Sequence, residues 1–161
     1  YHHLFAFFGV LAGGKLSDLW AEKKRSARLT LQGLSMLVAV PFIYLMGMGS
    51  NLYVIYAAMA IFGFFRGVYD SNIFASLYEV IEPRYRSSAS GMMLMFAFLT
   101  GAFAPYLLGV FKPTLGLAAG LSLLSVFYLL AALSIFVGVR FFFRQDAFLE
   151  TLPETEAVIK F

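Results

Sequence analysis

Mostly apolar residues fill five separate stretches of the chain, each bounded by charged or turn-forming residues. A bilayer core of about 30 Å requires roughly 20 apolar residues in an α-helix, so such stretches predict membrane-spanning helices. We expect the first stretch to be the end of a truncated helix, because it is too short to span. The helices form one all-α membrane domain over 1–140, before a polar tail over 141–161. The predicted helices cover residues 1–14, 29–48, 52–78, 88–110 and 117–139.

The composition excludes an ordinary soluble domain. Hydrophobic residues make up 61% of the 161 residues and charged residues only 13%, whereas soluble domains carry about 25% charged residues. A chain of this size cannot bury so much apolar surface in one core, so the lipid bilayer is an expected partner. The net charge of +3 is too small to indicate nucleic acid. The sequence has no cysteine, which excludes disulfides and Cys-ligated metals.

Basic residues are concentrated on one side of the predicted helices. Short loops make neighbouring helices antiparallel, so every loop can be assigned to one of two sides. The opposite side has only Lys112. The positive-inside rule places the basic side in the cytoplasm, with loops 15–28 and 79–87 and the tail, and we expect a bacterial inner (plasma) membrane. The basic side contains Lys15, Lys23, Lys24, Arg25, Arg28, Arg84, Arg86, Arg140 and Arg144.

The first basic loop has the residues of a latch between two helices. Gly14 allows a helix to end close to its neighbour, and Asp18 can lie at an adjacent helix N-terminus. The cations Lys23, Lys24 and Arg25 follow. At these residues the sequence resembles the major facilitator superfamily, whose signature in such a loop is Gly, three residues, Asp and then a basic cluster.

Glu79 and Arg86, separated by six residues, carry a second resemblance to this family. The family uses this spacing to pair with the charges of the first loop. The resemblance implies two six-helix bundles around a central cavity with alternating access. The form of the loop motif and the charged tail favour the C-terminal half, from the end of helix eight through helix twelve. The missing N-terminal bundle of the same polypeptide is then a partner.

Charged residues also occur inside the predicted helix over 52–78. Arg66 lies about 21 Å along this helix at 1.5 Å per residue, which places it near mid-membrane. Asp70 is one turn further on the same face, so the two charges can neutralise each other. Asn72 and Ser76 extend the polar surface. Either Arg66 binds an anionic solute while Asp70 orients it or couples protons, or the two charges form a purely structural pair.

Pro105 predicts a bend near Gly101, because proline lacks the amide that would bond to the Gly101 carbonyl. The bend serves either as a gate or as a static kink. His2 and His3 are candidates for a proton relay. The sequence contains no catalytic constellation, metal-ligand spacing or phosphate-binding loop. We therefore expect neither an enzyme nor a bound cofactor or metal.

These patterns together predict part of a secondary active transporter. Its substrate is a small polar solute, an organic anion or a sugar-related compound, moved by proton-coupled symport. Two alternatives remain open. A multidrug or lipid exporter of the same fold would depend more on Asp70 than on Arg66, and a non-transporting membrane scaffold would show no solute flux.

Overall fold

The structure is a computed structural model that describes residues 1–24, 26–141 and 143. Within these ranges the backbone forms α-helices and one short 3-10 helix, Pro83–Tyr85, and no strand. Five segments are long and apolar enough to span a bilayer, which confirms the predicted all-α membrane fold. The α-helices are α1 (His2–Ala21), α2 (Ala27–Met48), α3 (Leu52–Asp70), α4 (Ile73–Val80) and α5 (Arg86–Phe141).

The first helix is longer than the apolar pattern predicts. The predicted helix ends at Gly14, whereas α1 continues to Ala21. Helix propensity explains the difference, since the charged and polar residues over 15–20 disfavour lipid but not helical backbone. Asp18 therefore lies on the last turn of α1 and not in a loop, and α1 reaches 20 residues.

The predicted helix over 52–78 is interrupted at Ser71 and Asn72, between α3 and α4. The Ser71 hydroxyl donates to the Val68 carbonyl at 2.8 Å, and the Asn72 side-chain amide donates to the same carbonyl at 3.0 Å. Such short polar side chains compete with the backbone for helical hydrogen bonds. The result is a separate α4 of eight residues.

The stretches predicted over 88–110 and 117–139 join in α5. The backbone stays helical through Gly101 and Pro105, and it departs from helical geometry at Gly116, where φ is 76° and ψ is 157°. A positive φ of this kind is favourable for glycine because it has no Cβ. We call residues 86–115 the first arm and residues 117–141 the second arm. The break in helical geometry within α5 thus lies at Gly116.

The second arm runs antiparallel along α2. Gly33, near the start of α2, lies against Ile135 and Phe136, whereas Gly47, near its end, lies against Ala118 and Ser122. The first arm has few contacts: no residue between Pro83 and Tyr106 is buried. Apolar side chains over 86–106 are consequently free to contact lipid or other protein.

Glycines bring α1 and α3 together as parallel neighbours. A Cβ atom at Gly13 would lie 2.7 Å from the Cα of Val68, and one at Gly63 would lie 2.6 Å from the His2 carbonyl oxygen. Both distances are too short for real Cβ atoms, so the two backbones are in direct contact. Each helix contributes a pair spaced four residues apart, Gly9 and Gly13 in α1 and Gly63 and Gly67 in α3.

Candidate functional site

Arg66 and Asp70 lie one turn apart at the end of α3. The Arg66 Nε atom is 3.6 Å from Asp70 Oδ2, and the two side chains are 51% and 43% exposed. This separation is too long for a hydrogen bond, so the contact is a loose ion pair. The terminal amino groups of the Arg66 guanidinium make no hydrogen bond or ion pair with any other described residue. They are available to an anion.

The Arg66 side chain borders an open cleft between α2, α3 and the second arm of α5. The cleft holds about 160 Å³. Its walls are largely apolar and aromatic, which places one guanidinium beside a surface that water solvates poorly. The lining residues besides Arg66 are Ser35, Met36, Ala39, Phe65, Tyr69 and Tyr128.

Asn72 and Ser76 do not extend this surface, contrary to the expectation from the sequence. Both residues are buried, with exposed fractions of 0% and 4%. The Ser76 hydroxyl donates to Gln32 Oε1 at 2.8 Å, and the Gln32 amide nitrogen is 3.4 Å from the Tyr69 carbonyl oxygen. Buried polar groups need such partners. Ser76 therefore joins α4 to α2, while the Asn72 side chain bonds to Val68 and Ser71 at the helix break itself.

Sequence reasoning missed Gln32 as a structural residue. It is 4% exposed in the middle of the bundle, and it contacts both α3 and α4 through its amide. The sequence signal for Gln32 is that it is the one glutamine in the apolar stretch over 29–48. Its partners lie about 40 residues away in the sequence, so they could not be found from spacing.

Arg28 connects three helices at one end of the bundle, which we call the charged end and define by Asp18, Arg28 and Glu79. The Arg28 guanidinium is 2.8 Å from Asp18 on α1 and 3.2 Å from Glu79 on α4. Its side chain is 25% exposed and that of Glu79 is 16% exposed. Partial burial strengthens such pairs relative to surface pairs. The sequence alone does not distinguish Arg28 from the other basic residues of the loop over 15–28.

The other predicted latch cations take no part in this cluster. Lys23 and Lys24 are exposed and make no ion pair with any described residue, while Arg25 lies outside the described residues. Arg86 donates to the Tyr78 carbonyl at 3.1 Å, and its guanidinium lies 5.3 Å from the centre of the Tyr78 ring. The structure therefore shows Glu79 paired with Arg28, and Arg86 turned towards Tyr78.

The glycine of the predicted latch also has a different environment from the one expected. A Cβ atom at Gly14 would meet nothing within 4 Å, whereas Gly13 faces Val68 and Ser71. The close helix contact thus depends on Gly13. Of the remaining predicted residues, Gly101 has open space around it, and the tail over 144–161 lies outside the described residues.

An aromatic row leads from α1 to the cleft. The His2 ring stacks on Phe62 at 5.4 Å, and Phe62 meets the edge of Tyr128 at 5.9 Å. The His2 Nε2 atom is buried and has no hydrogen-bond partner among the described residues, whereas His3 is exposed. Within the described ranges no three His, Cys, Asp or Glu side chains are placed to hold a metal ion.

Comparison with known proteins gives one match. A family model described as Major Facilitator Superfamily matches residues 3–160, which is nearly the whole chain. No curated protein and no solved structure matches it. The family match confirms the resemblance of the sequence to this family.

Proposed function

The chain belongs to the major facilitator superfamily, a family of membrane transporters, and from this premise we propose that it is the C-terminal half of a proton-coupled symporter for a small organic anion. The observation that carries the proposal is the position of Arg66. Its guanidinium lies far from both ends of a membrane-length segment, beside an open cleft, with its terminal amino groups unengaged by described residues.

Anion binding follows from the chemistry of this group. A guanidinium presents a planar fork of donors that matches a carboxylate or a sulfonate. A charged residue at mid-membrane is costly unless it is paired or faces a water-filled cavity. The loose pair with Asp70 offsets part of that cost, and an entering anion would offset more.

Proton coupling is the role we propose for Asp70. An anion that binds Arg66 competes with Asp70 for the same positive charge. The Asp70 carboxylate then loses much of its counterion and takes up a proton. The charges balance, because one anion and one proton enter a site that holds one cation and one carboxylate. The loaded site is no more charged than the empty one, which lowers the barrier to moving it through the membrane.

Gating is the role we propose for the charged end. Arg28 ties α1, α2 and α4 together through Asp18 and Glu79. Glu79 lies near the end of α4, and the helix break beside Asp70 lies at the start of α4. Because α4 has only eight residues, one short helix connects the charged end to the break. The positive-inside rule favours a cytoplasmic location for this end. Release of the Arg28 pairs would open the protein towards the cytoplasm, and their formation would close it.

Arg66→Lys in the full-length polypeptide tests the transport proposal. Liposomes containing a pH-sensitive dye report protons that enter with methanesulfonate, lactate, gluconate or benzenesulfonate, and labelled glucose serves as a neutral solute. We expect proton entry with at least one anion and a loss of at least about tenfold in Arg66→Lys, because lysine keeps the charge but lacks the fork. Arg84→Lys is the control, since Arg84 is exposed and pairs locally with Glu82.

Two outcomes would contradict the proposal. One is unchanged anion-driven proton entry in Arg66→Lys at normal protein insertion. The other is transport of glucose alone, with no anion moving protons. Absence of all solute flux would favour the non-transporting scaffold.

A further inference from the structure

We infer that the solute is a monoanion with an aromatic or similarly compact apolar body, bound with its charge on Arg66 and its body against Tyr69 and Tyr128. The inference rests on the proposed function and names the class of its substrate. It selects among organic anions and disfavours the sugar-related compounds that the sequence left open.

The first argument is the size and character of the cleft. Apolar cavities of about 150 Å³ admit a single benzene ring, and the cleft beside Arg66 holds about 160 Å³. Its walls include the aromatic residues Phe65, Tyr69 and Tyr128. Aromatic side chains bind rings in stacked or edge-to-face arrangements. One ring therefore fits both the volume and the lining.

The second argument is that the small polar side chains at and behind the cleft wall are already engaged. Ser35 is the small hydroxyl residue that lines it, and its Oγ donates to the Gln32 carbonyl at 2.8 Å. Gln32 and Ser76 are buried and bonded to each other. A sugar has many hydroxyl groups that each require a partner when they leave water. Besides Arg66, the described lining offers a sugar only the hydroxyls of Tyr69 and Tyr128, which are fewer partners than its hydroxyl groups require.

The third argument is the charge of the site. Arg66 supplies one positive charge, which it shares with Asp70. A monoanion can replace Asp70 at the guanidinium without leaving excess charge. A dianion would bring a second negative charge next to apolar walls with no further cation among the residues that line the cleft.

Binding of sulfonates to the purified full-length protein tests this inference, because sulfonates stay ionised at working pH. Calorimetry compares four probes: benzenesulfonate, methanesulfonate, benzyl alcohol and glucose. We expect benzenesulfonate to bind at least about tenfold more tightly than each of the other three. This comparison uses the unmodified protein and so does not depend on whether any variant folds.

Two substitutions on the second arm then test where the ring of bound benzenesulfonate lies. Tyr128→Ala removes a cleft wall and should reduce the preference for benzenesulfonate over methanesulfonate by about tenfold. Phe127→Ala is the matched control, since Phe127 is the neighbouring aromatic residue, is 61% exposed and does not line the cleft. Arg66→Gln should weaken the binding of both sulfonates.

The outcomes separate the two proposals. Equal binding of both sulfonates, with both lost in Arg66→Gln, overturns the aromatic body and leaves anion transport intact. Equal loss of preference in Tyr128→Ala and Phe127→Ala also overturns it. Tighter binding of glucose that does not change in Arg66→Gln overturns the substrate class and the proposed role of Arg66 together.

Discussion

Two charged sites in the described part of the protein differ in how their arginine is paired and how far it is exposed. At the charged end, Arg28 joins three helices, lies between two carboxylates and is only 25% exposed. At the end of α3, Arg66 has one carboxylate on its own helix, at a longer distance and with 51% exposure. The first arrangement pairs its cation with carboxylates of two other helices and so holds helices together. The second leaves its cation partly free, as a binding site requires.

The largest expected difference between the two sites is in stability. Arg28→Gln removes the cation shared by Asp18 and Glu79 and leaves two carboxylates close together. Hydrogen bonds to charged groups contribute about 1.5–3 kcal/mol, so we expect a loss of about 2 kcal/mol in the free energy of unfolding. Denaturant titration of the full-length protein in detergent measures it, and Lys24→Gln, an exposed cation of the same loop, should have no effect.

Accessibility labelling sharpens this prediction. If the Arg28 cluster closes the charged end, then a cysteine introduced at its inner side should react faster with a water-soluble reagent in Arg28→Gln than in the unmodified protein. Equal reaction rates would mean that the Arg28 cluster is a structural contact with no part in gating.

A smaller loss in the free energy of unfolding is expected when the contact of Ser76 beside the helix break is removed. Ser76→Ala removes the hydroxyl that bonds to Gln32 at 2.8 Å and leaves a buried amide oxygen without that partner. We expect a loss of about 1 kcal/mol. Ser134→Ala is the control, because the Ser134 hydroxyl is exposed and, among the described residues, bonds only to the carbonyl of Leu130 on its own helix. Equal melting temperatures of the two variants would mean that the Gln32 contact does not hold α4 in place.

The smallest stability effect is expected at the site where the functional effect is large. Exposed ion pairs one helical turn apart contribute roughly 0.3–0.5 kcal/mol. The Arg66→Gln variant should therefore have a melting temperature close to that of the unmodified protein, although it loses anion-driven proton entry. A loss of stability as large as that of Arg28→Gln would show that Arg66 holds the bundle together, which is the structural alternative for this pair.

The sequence was informative where an interaction is local. The ion pair between Arg66 and Asp70 connects residues four apart on one helix, so helical periodicity alone brings them together. Asn72 and Ser76 follow the same stretch, yet both are buried, Asn72 at the helix break and Ser76 against its partner Gln32 on α2. The spacing of Glu79 and Arg86 suggested a shared charge network, but a 3-10 turn separates them and Arg86 contacts Tyr78.

By itself, the sequence determined that this is an all-helical membrane protein of the major facilitator superfamily, because apolar length and short loop motifs are properties of single segments. Only the tertiary structure decided that Arg28 is the centre of the charged end, that Gln32 anchors the helix break and that Gly13 forms the close contact in place of Gly14. Each of these depends on residues from different helices that meet only when the helices pack, and one glycine or one arginine is not distinguished from its neighbours by spacing along the chain.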